Sequence, residues 1–198
     1  MRRFAVALLL LSAPATLHAQ WRLALLTGTA VTHGDARDDT DPAHPEFHAE
    51  APATLALRLA RRQGASWLAV EVHHTSADLA EISASTAVMT RGALTAWGTA
   101  LELTHRVVGP QDGPALNAVL GAGIDRWTFN LDDGAPRWRG SVRGALEADL
   151  PINPKWSGVI RSQIVAGPSV FNAEELPEGF EQRMAVRIGL VFGVSRRL

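Results

Sequence analysis

Arginine and carboxylate side chains recur at every second position within several apolar stretches of this chain. Alternate residues of an extended strand point to the same side, so such charges would share one face and be able to pair. Arginine suits this role because its planar fork can bind two carboxylates, or one carboxylate through two hydrogen bonds. The residues predicted to form this ionic network are Glu71, Glu102, Asp125, Arg139, Arg143, Glu147, Arg161 and Arg187.

Two arrangements of these charges are consistent with the pattern. A hairpin centred on Asp133-Gly134 would set Asp125 roughly opposite Arg139, while Glu71 and Glu102 would meet Arg143, Arg161 or Arg187. Paired charges are the more common state when charges are buried, so we predict a closed network. The alternative is a cation-lined conduit for anions.

His74 and Ser76 are separated by one residue and fall on the uncharged face of the same stretch. A histidine base beside a serine nucleophile is the chemistry of ester cleavage. The orienting acid is not evident, because Glu102 belongs to the opposite face and Asp78 and Glu81 fall in a predicted loop. A polar strand end without catalysis is therefore the favoured interpretation.

An acidic segment with histidines precedes the second stretch. Its oxygen and imidazole groups are possible ligands for a divalent cation. The residues concerned are Asp38, Asp39, Asp41, His44 and His48. Their spacing matches no known loop motif, so a solvated acidic loop is favoured, and we expect neither a bound metal nor a cofactor.

Eight stretches alternate apolar residues with small or polar ones, and a period of two over such lengths predicts half-buried β-strands. The stretches are 21–31, 55–60, 68–73, 97–104, 116–125, 138–150, 156–164 and 183–194. The connections 61–65, 108–113 and 151–155 are short and turn-like, whereas 32–50, 75–93 and 167–181 are long and polar, with 130–136 of middling length. This regular order predicts an antiparallel up-and-down meander.

The two faces of these strands differ sharply. One face carries nearly all the charges together with glycines such as Gly98, Gly121 and Gly123, and the other is almost free of charge. In a bilayer the apolar face must point outward, and the charged face then fills a narrow interior. The sequence thus predicts an all-β, closed, antiparallel eight-stranded up-and-down transmembrane β-barrel with a lumen plugged by ionic side chains. The alternative is a soluble ligand-binding barrel, with its charged face in water.

Aromatic residues at the strand ends fit the membrane interpretation, because indole is apolar in body and polar at its N–H. The predicted interfacial residues are Trp21, Trp97, Trp138, Trp156 and Phe192. Trp67 and Trp127 fall on the charged face, which predicts a bulge or an error in the assumed register.

The N-terminus resembles an export signal. Arg2 and Arg3 precede a short apolar run, and Leu17-His18-Ala19 suits cleavage, so residues 1–19 are predicted to be a secretory signal peptide and residues 20–198 one barrel domain. The chain has no cysteine and a net charge of −1, so neither a disulfide framework nor a nucleic-acid partner is expected.

With the leader end Leu17-His18-Ala19, the eight strands and the final run Val186, Ile188, Leu190, Phe192 and Val194, the chain resembles the small outer-membrane β-barrel proteins of the OmpX and OmpA transmembrane-domain kind. The resemblance covers the whole mature chain. It implies the outer membrane of a Gram-negative-type cell, contact with its lipid and lipopolysaccharide, and insertion by the barrel-assembly machinery. It also implies a monomer with a structural or surface-interaction role.

Lipid A deacylases built on such barrels use a His-x-Ser pair followed by Asn. His74-Thr75-Ser76 is similar in spacing, but Ala77 stands where the resemblance would place the Asn. A lipid A deacylase-like hydrolase using His74 and Ser76 is therefore the alternative function.

Overall fold

The computed structural model describes residues 20–41, 44–83, 86–110, 113–130 and 135–198. The predicted signal peptide and the Asp133-Gly134 turn lie outside these ranges. Within them no helix has the length and apolarity needed to cross a bilayer.

Antiparallel strands make up almost all of the described chain. They are β1 (Trp21–His33), β2 (Ala36–Asp38), β3 (Glu46–Gln63), β4 (Ser66–Ile82), β5 (Ala87–Val108), β6 (Ala115–Phe129), β7 (Arg137–Pro151), β8 (Trp156–Gly167), β9 (Phe180–Gln182) and β10 (Ala185–Arg197), with a short 3₁₀ helix at Ala173–Glu175. The two short strands, β2 and β9, pair with each other. The other eight correspond to the eight predicted stretches.

Those eight strands form a ring. Neighbours along the sheet run from β10 through β8, β7, β6, β5 and β4 to β3, and β1 pairs with both β10 and β3. The predicted all-β, antiparallel, eight-stranded up-and-down architecture is confirmed. Closure pairs the backbone of each strand on both sides and leaves the ring without an edge.

Side chains separate by parity, as the alternation predicts. The outward positions are apolar and exposed, with Leu57, Leu120 and Ile188 showing 51%, 68% and 50% of their surface. The inward charges are buried, with Glu102 at 0% and Arg161 at 1% exposure. The apolar face is therefore the outer surface, the reverse of what a soluble ligand-binding barrel needs.

One end of the barrel differs from the prediction. The segment 75–93, predicted as a long polar loop, is mostly strand, because β4 continues to Ile82 and β5 begins at Ala87. The alternation weakens here because a register shift occurs between Ala77 and Leu79, and another in β3 between Glu50 and Ala53. Such irregularities displace the period-two pattern that marks a strand in sequence.

The described parts of the connections 61–65, 108–113 and 151–155 are short, as predicted. They lie together at the end of the barrel opposite these irregular strand segments, and we call this end the turn end. We call the opposite end the loop end. It carries β2, β9, the first residues of β3 and β5 and the last residues of β4. The segment 167–181 remains a long connection, interrupted only by the 3₁₀ helix and the start of β9.

The outward face should tolerate apolar exchange but not charge. Leu57→Arg, in the middle of β3, should lower the free energy of unfolding in lipid vesicles by about 2–4 kcal/mol, because the guanidinium would enter hydrocarbon. Its neighbour Ala56, 4% exposed on the inner face, supplies the control. Ala56→Ser should cost much less. Urea unfolding followed by tryptophan fluorescence measures both, and reversed sensitivities would contradict the assignment of the faces.

Candidate functional site

The interior of the barrel is the candidate site, because the register of the strands gathers the buried charges there. Arg58 lies beside Glu71 across β3 and β4, and Glu147 lies beside Arg161 across β7 and β8. Glu102 belongs to β5 and reaches the same level from a further strand. The network therefore joins opposite walls of the ring and not only adjacent strands.

Arg161 is the centre of this network. Its two Nη atoms bind the two carboxylate oxygens of Glu102 at 2.9 and 3.0 Å. Its Nε and Nη2 bind Glu147 Oε2 at 3.0 and 2.9 Å. One guanidinium thus satisfies two carboxylates, the double role for which its geometry is suited.

Two further arginines surround the centre. Arg58 binds both oxygens of Glu147, at 2.7 and 3.1 Å, and lies 3.5 Å from Glu102. Arg143 binds Glu71 at 2.7 Å and lies 3.6 Å from Glu102. Each carboxylate at this level thus faces at least two guanidiniums, which offsets the cost of removing it from water.

Glycines on β6 make room for this packing. A Cβ at Gly121 would lie 3.1 Å from both Arg143 Cγ and Glu102 Cγ, and 2.7 Å from the backbone oxygen of Leu101. A Cβ at Gly123 would lie 3.2 Å from Arg143 Nη2. The small residues on the charged face therefore leave room for the ionic side chains.

A second layer lies nearer the loop end. His73 Nε2 and Asp125 Oδ1 are 2.8 Å apart, and Arg187 Nη2 lies 3.6 Å from Asp125. Gly98 stands against both His73 and Asp125, and a Cβ there would collide with each. Arg187 also lies over the ring of Trp127, 5.3 Å from its centroid. Sequence reasoning did not single out His73, although its parity placed it on the charged face.

A third layer lies near the turn end. Arg22 Nη1 binds Asp149 Oδ2 at 2.6 Å, and the guanidinium lies 4.7 Å from the centre of the Trp67 ring. Taken over the three layers, Arg22, Arg58, Arg143, Arg161 and Arg187 face Glu71, Glu102, Asp125, Glu147 and Asp149. The three layers therefore contain five arginines and five carboxylates.

Arg139 does not join this network. It lies opposite Asp125 in the strand register, but its guanidinium binds the backbone oxygen of Phe171 at 3.0 Å and Asn172 Oδ1 at 2.7 Å. Arg139 thus lies opposite Asp125, as predicted, but its guanidinium contacts the connection 167–181 and not the carboxylates of the ionic network. Parity sets the face of a side chain, but Arg139 sits near the end of β7, where the long connection 167–181 folds within its reach.

That connection contributes to an apolar cluster at the loop end, which we call the mouth cluster. It contains Ala36, Ala49, Ala77, Ala93, Leu94, Ala96, Trp127, Val170 and Phe171, with Phe47, Leu79, Phe129, Leu176 and Phe180 packed against it. Trp127 is 1% exposed. The suggested bulge or register error at Trp67 and Trp127 is wrong, because both truly face inward in regular pairing with their neighbours.

Polar contacts anchor the connection over the mouth cluster. The buried carboxylate of Asp35 accepts hydrogen bonds from the backbone N–H groups of Val170 at 3.1 Å and Ala49 at 3.3 Å. Burial raises the pKa of Asp35, and these two N–H groups oppose the shift. Glu175 binds Arg137 Nε at 3.1 Å and the Asn172 N–H at 2.9 Å.

His74 and Ser76 lie two residues apart on the outward-facing side of β4. The His74 ring packs against Trp97, with 4.8 Å between ring centroids, and the hydrogen bonds of the described residues include none between His74 and Ser76. Asp78, the nearest carboxylate in sequence, accepts a hydrogen bond from the Gly92 N–H at 2.7 Å.

The acidic segment folds on its own contacts. Thr40 donates two hydrogen bonds to Asp38 Oδ1, from Oγ1 at 2.6 Å and from the backbone at 2.8 Å, and these lower the pKa of Asp38. Asp39 pairs with Arg37 and Arg183. The backbone N–H of His44 binds the Asp41 oxygen, and His48 binds Glu50 at 2.8 Å. Among the residues that the structure describes, no three His, Asp or Glu side chains converge as metal ligands.

The four predicted interfacial tryptophans fall into two sets. Trp97 and Trp138 are each 59% exposed towards the loop end. Trp21 and Trp156 lie at the turn end, where Arg61 and Arg196 lie over their rings. Phe192 is in neither set: it pairs with Thr27 and Ile160, in the middle of the apolar band. β10 continues beyond it to Arg197.

No protein-family model matches the chain, and no curated protein matches it either. Solved structures do match. The outer-membrane protein OprG of Pseudomonas aeruginosa aligns with a TM-score of 0.56 and 10% identity, over 91% of this chain and 96% of that one. Neisserial surface protein A aligns with a TM-score of 0.56 and 7% identity, over 90% and 97%.

Identities this low show the fold alone. The chain has the fold of the small eight-stranded outer-membrane β-barrels, as the sequence pattern predicts.

Neutralising one carboxylate of the central network should unfold the barrel more easily. Glu102→Gln keeps the shape but leaves the guanidiniums of Arg161, Arg58 and Arg143 with one negative charge too few, and should cost about 3–5 kcal/mol. Equilibrium unfolding in vesicles measures this cost. Glu81→Gln removes the same charge from an exposed site at the end of β4 and should change stability by less than about 0.5 kcal/mol. Equal effects of the two substitutions would contradict the central role of Glu102.

Proposed function

We propose that this protein is a monomeric outer-membrane β-barrel with a plugged lumen and a structural or surface-interaction role. It would reach the outer membrane of a Gram-negative-type cell with residues 1–19 as a cleaved signal peptide. There it would be inserted by the barrel-assembly machinery and contact the lipid and lipopolysaccharide around it.

The observation that carries the proposal is the contrast between the two surfaces of the ring. Outside is a continuous apolar band with Leu25, Leu57, Leu101, Val142 and Ile188 among its exposed members. Such a band is costly in water and is what hydrocarbon requires. Inside, the three paired layers contain five arginines and five carboxylates. A membrane location accounts for both surfaces at once.

A plugged lumen is supported by three successive barriers. The Arg22–Asp149 pair lies nearest the turn end, the network around Arg161 fills the middle, and the mouth cluster lies at the loop end. A conduit for anions would need an excess of unpaired cations along its length. The five-to-five balance of the paired layers argues against that alternative.

A surface role is supported by the loop end. The first residues of β3 and β5, the last residues of β4, and the short strands β2 and β9 form an ordered platform. The mouth cluster and the hydrogen bonds of Asp35 stabilise it. Short turns face the periplasm and long connections face outward in barrels of this kind. The platform would therefore stand at the cell surface, where an ordered structure can present side chains to a partner.

Electrical recording tests the plug. The refolded protein in a planar bilayer should give no steady, porin-sized conductance, because paired side chains and the mouth cluster occupy the lumen. An established porin recorded in the same membrane is the positive control. Rare small openings are compatible with brief breathing of the connection 167–181, whereas large stable channels would exclude a plugged lumen.

Cell fractionation tests the location. The full chain should sediment with the outer membrane and leave it only with detergent. A chain with Leu57→Arg and Leu101→Arg should fail to accumulate there, because both guanidiniums would face hydrocarbon. Recovery of the native chain in the soluble periplasmic fraction would contradict the proposal.

A further inference from the structure

A cavity of about 250 Å³ opens at the turn end, outside the paired layers of the lumen. Its polar walls include Gln20, Arg62, Arg106 and Arg197, and one side is formed by the ring of Trp67. The described residues that line it include three arginines and no carboxylate. In the layers above, carboxylates lie among the arginines.

The strand register explains why arginines gather there. Arg62 pairs with Trp67 across β3 and β4, Arg197 pairs with Arg22 across β10 and β1, and Arg106 pairs with Asn117 across β5 and β6. Directly opposed residues of antiparallel strands lie on the same face of the sheet. All of these side chains therefore belong to the inner face at one level of the barrel.

The hydrogen bonds of two of these arginines go to neutral groups. Arg62 donates from Nε to the Gly64 oxygen and from Nη1 to Gln20 Oε1, each at 3.0 Å, and Arg106 donates to the Pro110 oxygen. Behind Trp67, the Arg22 side chain is 7% exposed, and its Nε and Nη2 have no hydrogen-bond partner. The Asp149 carboxylate neutralises Arg22 through Nη1 alone.

We propose that this cavity binds a phosphate group. Guanidiniums satisfied only by neutral oxygens gain from exchanging them for a charged acceptor, because charge-assisted hydrogen bonds are about twice as strong. Several guanidiniums around one small cavity favour an anion with several acceptor oxygens and more than one negative charge. Phosphate meets both requirements, and Arg62 and Arg106 are its anchors.

The phosphate can belong to a free solute or to a phospholipid headgroup, since the recognised chemistry is the same. The placement of the cavity on the periplasmic side rests on the proposed function, but the binding itself does not. Measurements in lipid-free detergent micelles therefore separate a failure of this inference from a failure of the membrane assignment.

Titration of the refolded full chain with inorganic phosphate in micelles, followed by isothermal calorimetry and phosphorus NMR line broadening, is the first arm. Binding should be saturable and should weaken about tenfold or more when Arg62→Gln and Arg106→Gln are combined. Arg126→Gln is the matched control, because Arg126 is an exposed, outward-facing arginine near the loop end. It should leave the affinity unchanged, and circular dichroism should show all variants folded.

Nanodiscs supply the second arm. Phosphatidic acid, with its phosphomonoester headgroup, is compared with phosphatidylcholine by phosphorus NMR. Saturable binding of inorganic phosphate supports the site and identifies a free solute as its ligand. If only the phosphorus NMR signal of phosphatidic acid broadens, and the broadening depends on Arg62 and Arg106, the site is supported with a lipid headgroup as its ligand. No binding in either arm, or binding unaffected by the double substitution, would overturn the inference.

Discussion

The guanidinium of Arg161 is held by two carboxylates at the centre of a ring only eight strands wide, and much of the structure follows from that arrangement. Arg161 on β8 binds Glu147 on the adjacent strand β7 and also Glu102 on β5, a strand with which β8 shares no backbone hydrogen bonds. Its partners are themselves shared with Arg58 and Arg143. Removing any one member would leave an uncompensated charge in a buried site, so these groups stabilise the fold as a set.

This arrangement also determines which small residues are needed. Gly121 and Gly123 are required less for backbone freedom than for the space that Arg143 and Glu102 occupy. Gly98 serves the pair of His73 and Asp125 in the same way. Polar side chains on β4, β5, β6 and β7 are thus matched by glycines on β5 and β6, as close packing of a narrow interior requires.

The two ends of the barrel differ in the side chains that line them. At the loop end, apolar side chains of the connection 167–181 replace the ionic filling, and Asp35 and Arg139 tie that connection to the ring. At the turn end no such cover exists among the described residues, and Arg62, Arg106 and Trp67 surround an open cavity. The first end resembles a small core, and the second has the composition of an anion site.

The sequence alone determined the ring and its two faces. A strict period of two fixes which residues share a face, so the inward placement of Glu71, Glu102 and Arg161 followed without any structure. It could not determine which arginine meets which carboxylate. Arg58 and Glu147 are 89 residues apart, and their meeting depends on the tilt and stagger of the closed ring. Two contacts are visible only in the tertiary structure: Arg139 binds the connection 167–181, and Trp127 packs in the mouth cluster. Both depend on how a long connection folds over the end of the barrel, and the path of such a connection is set by packing and not by a period of two.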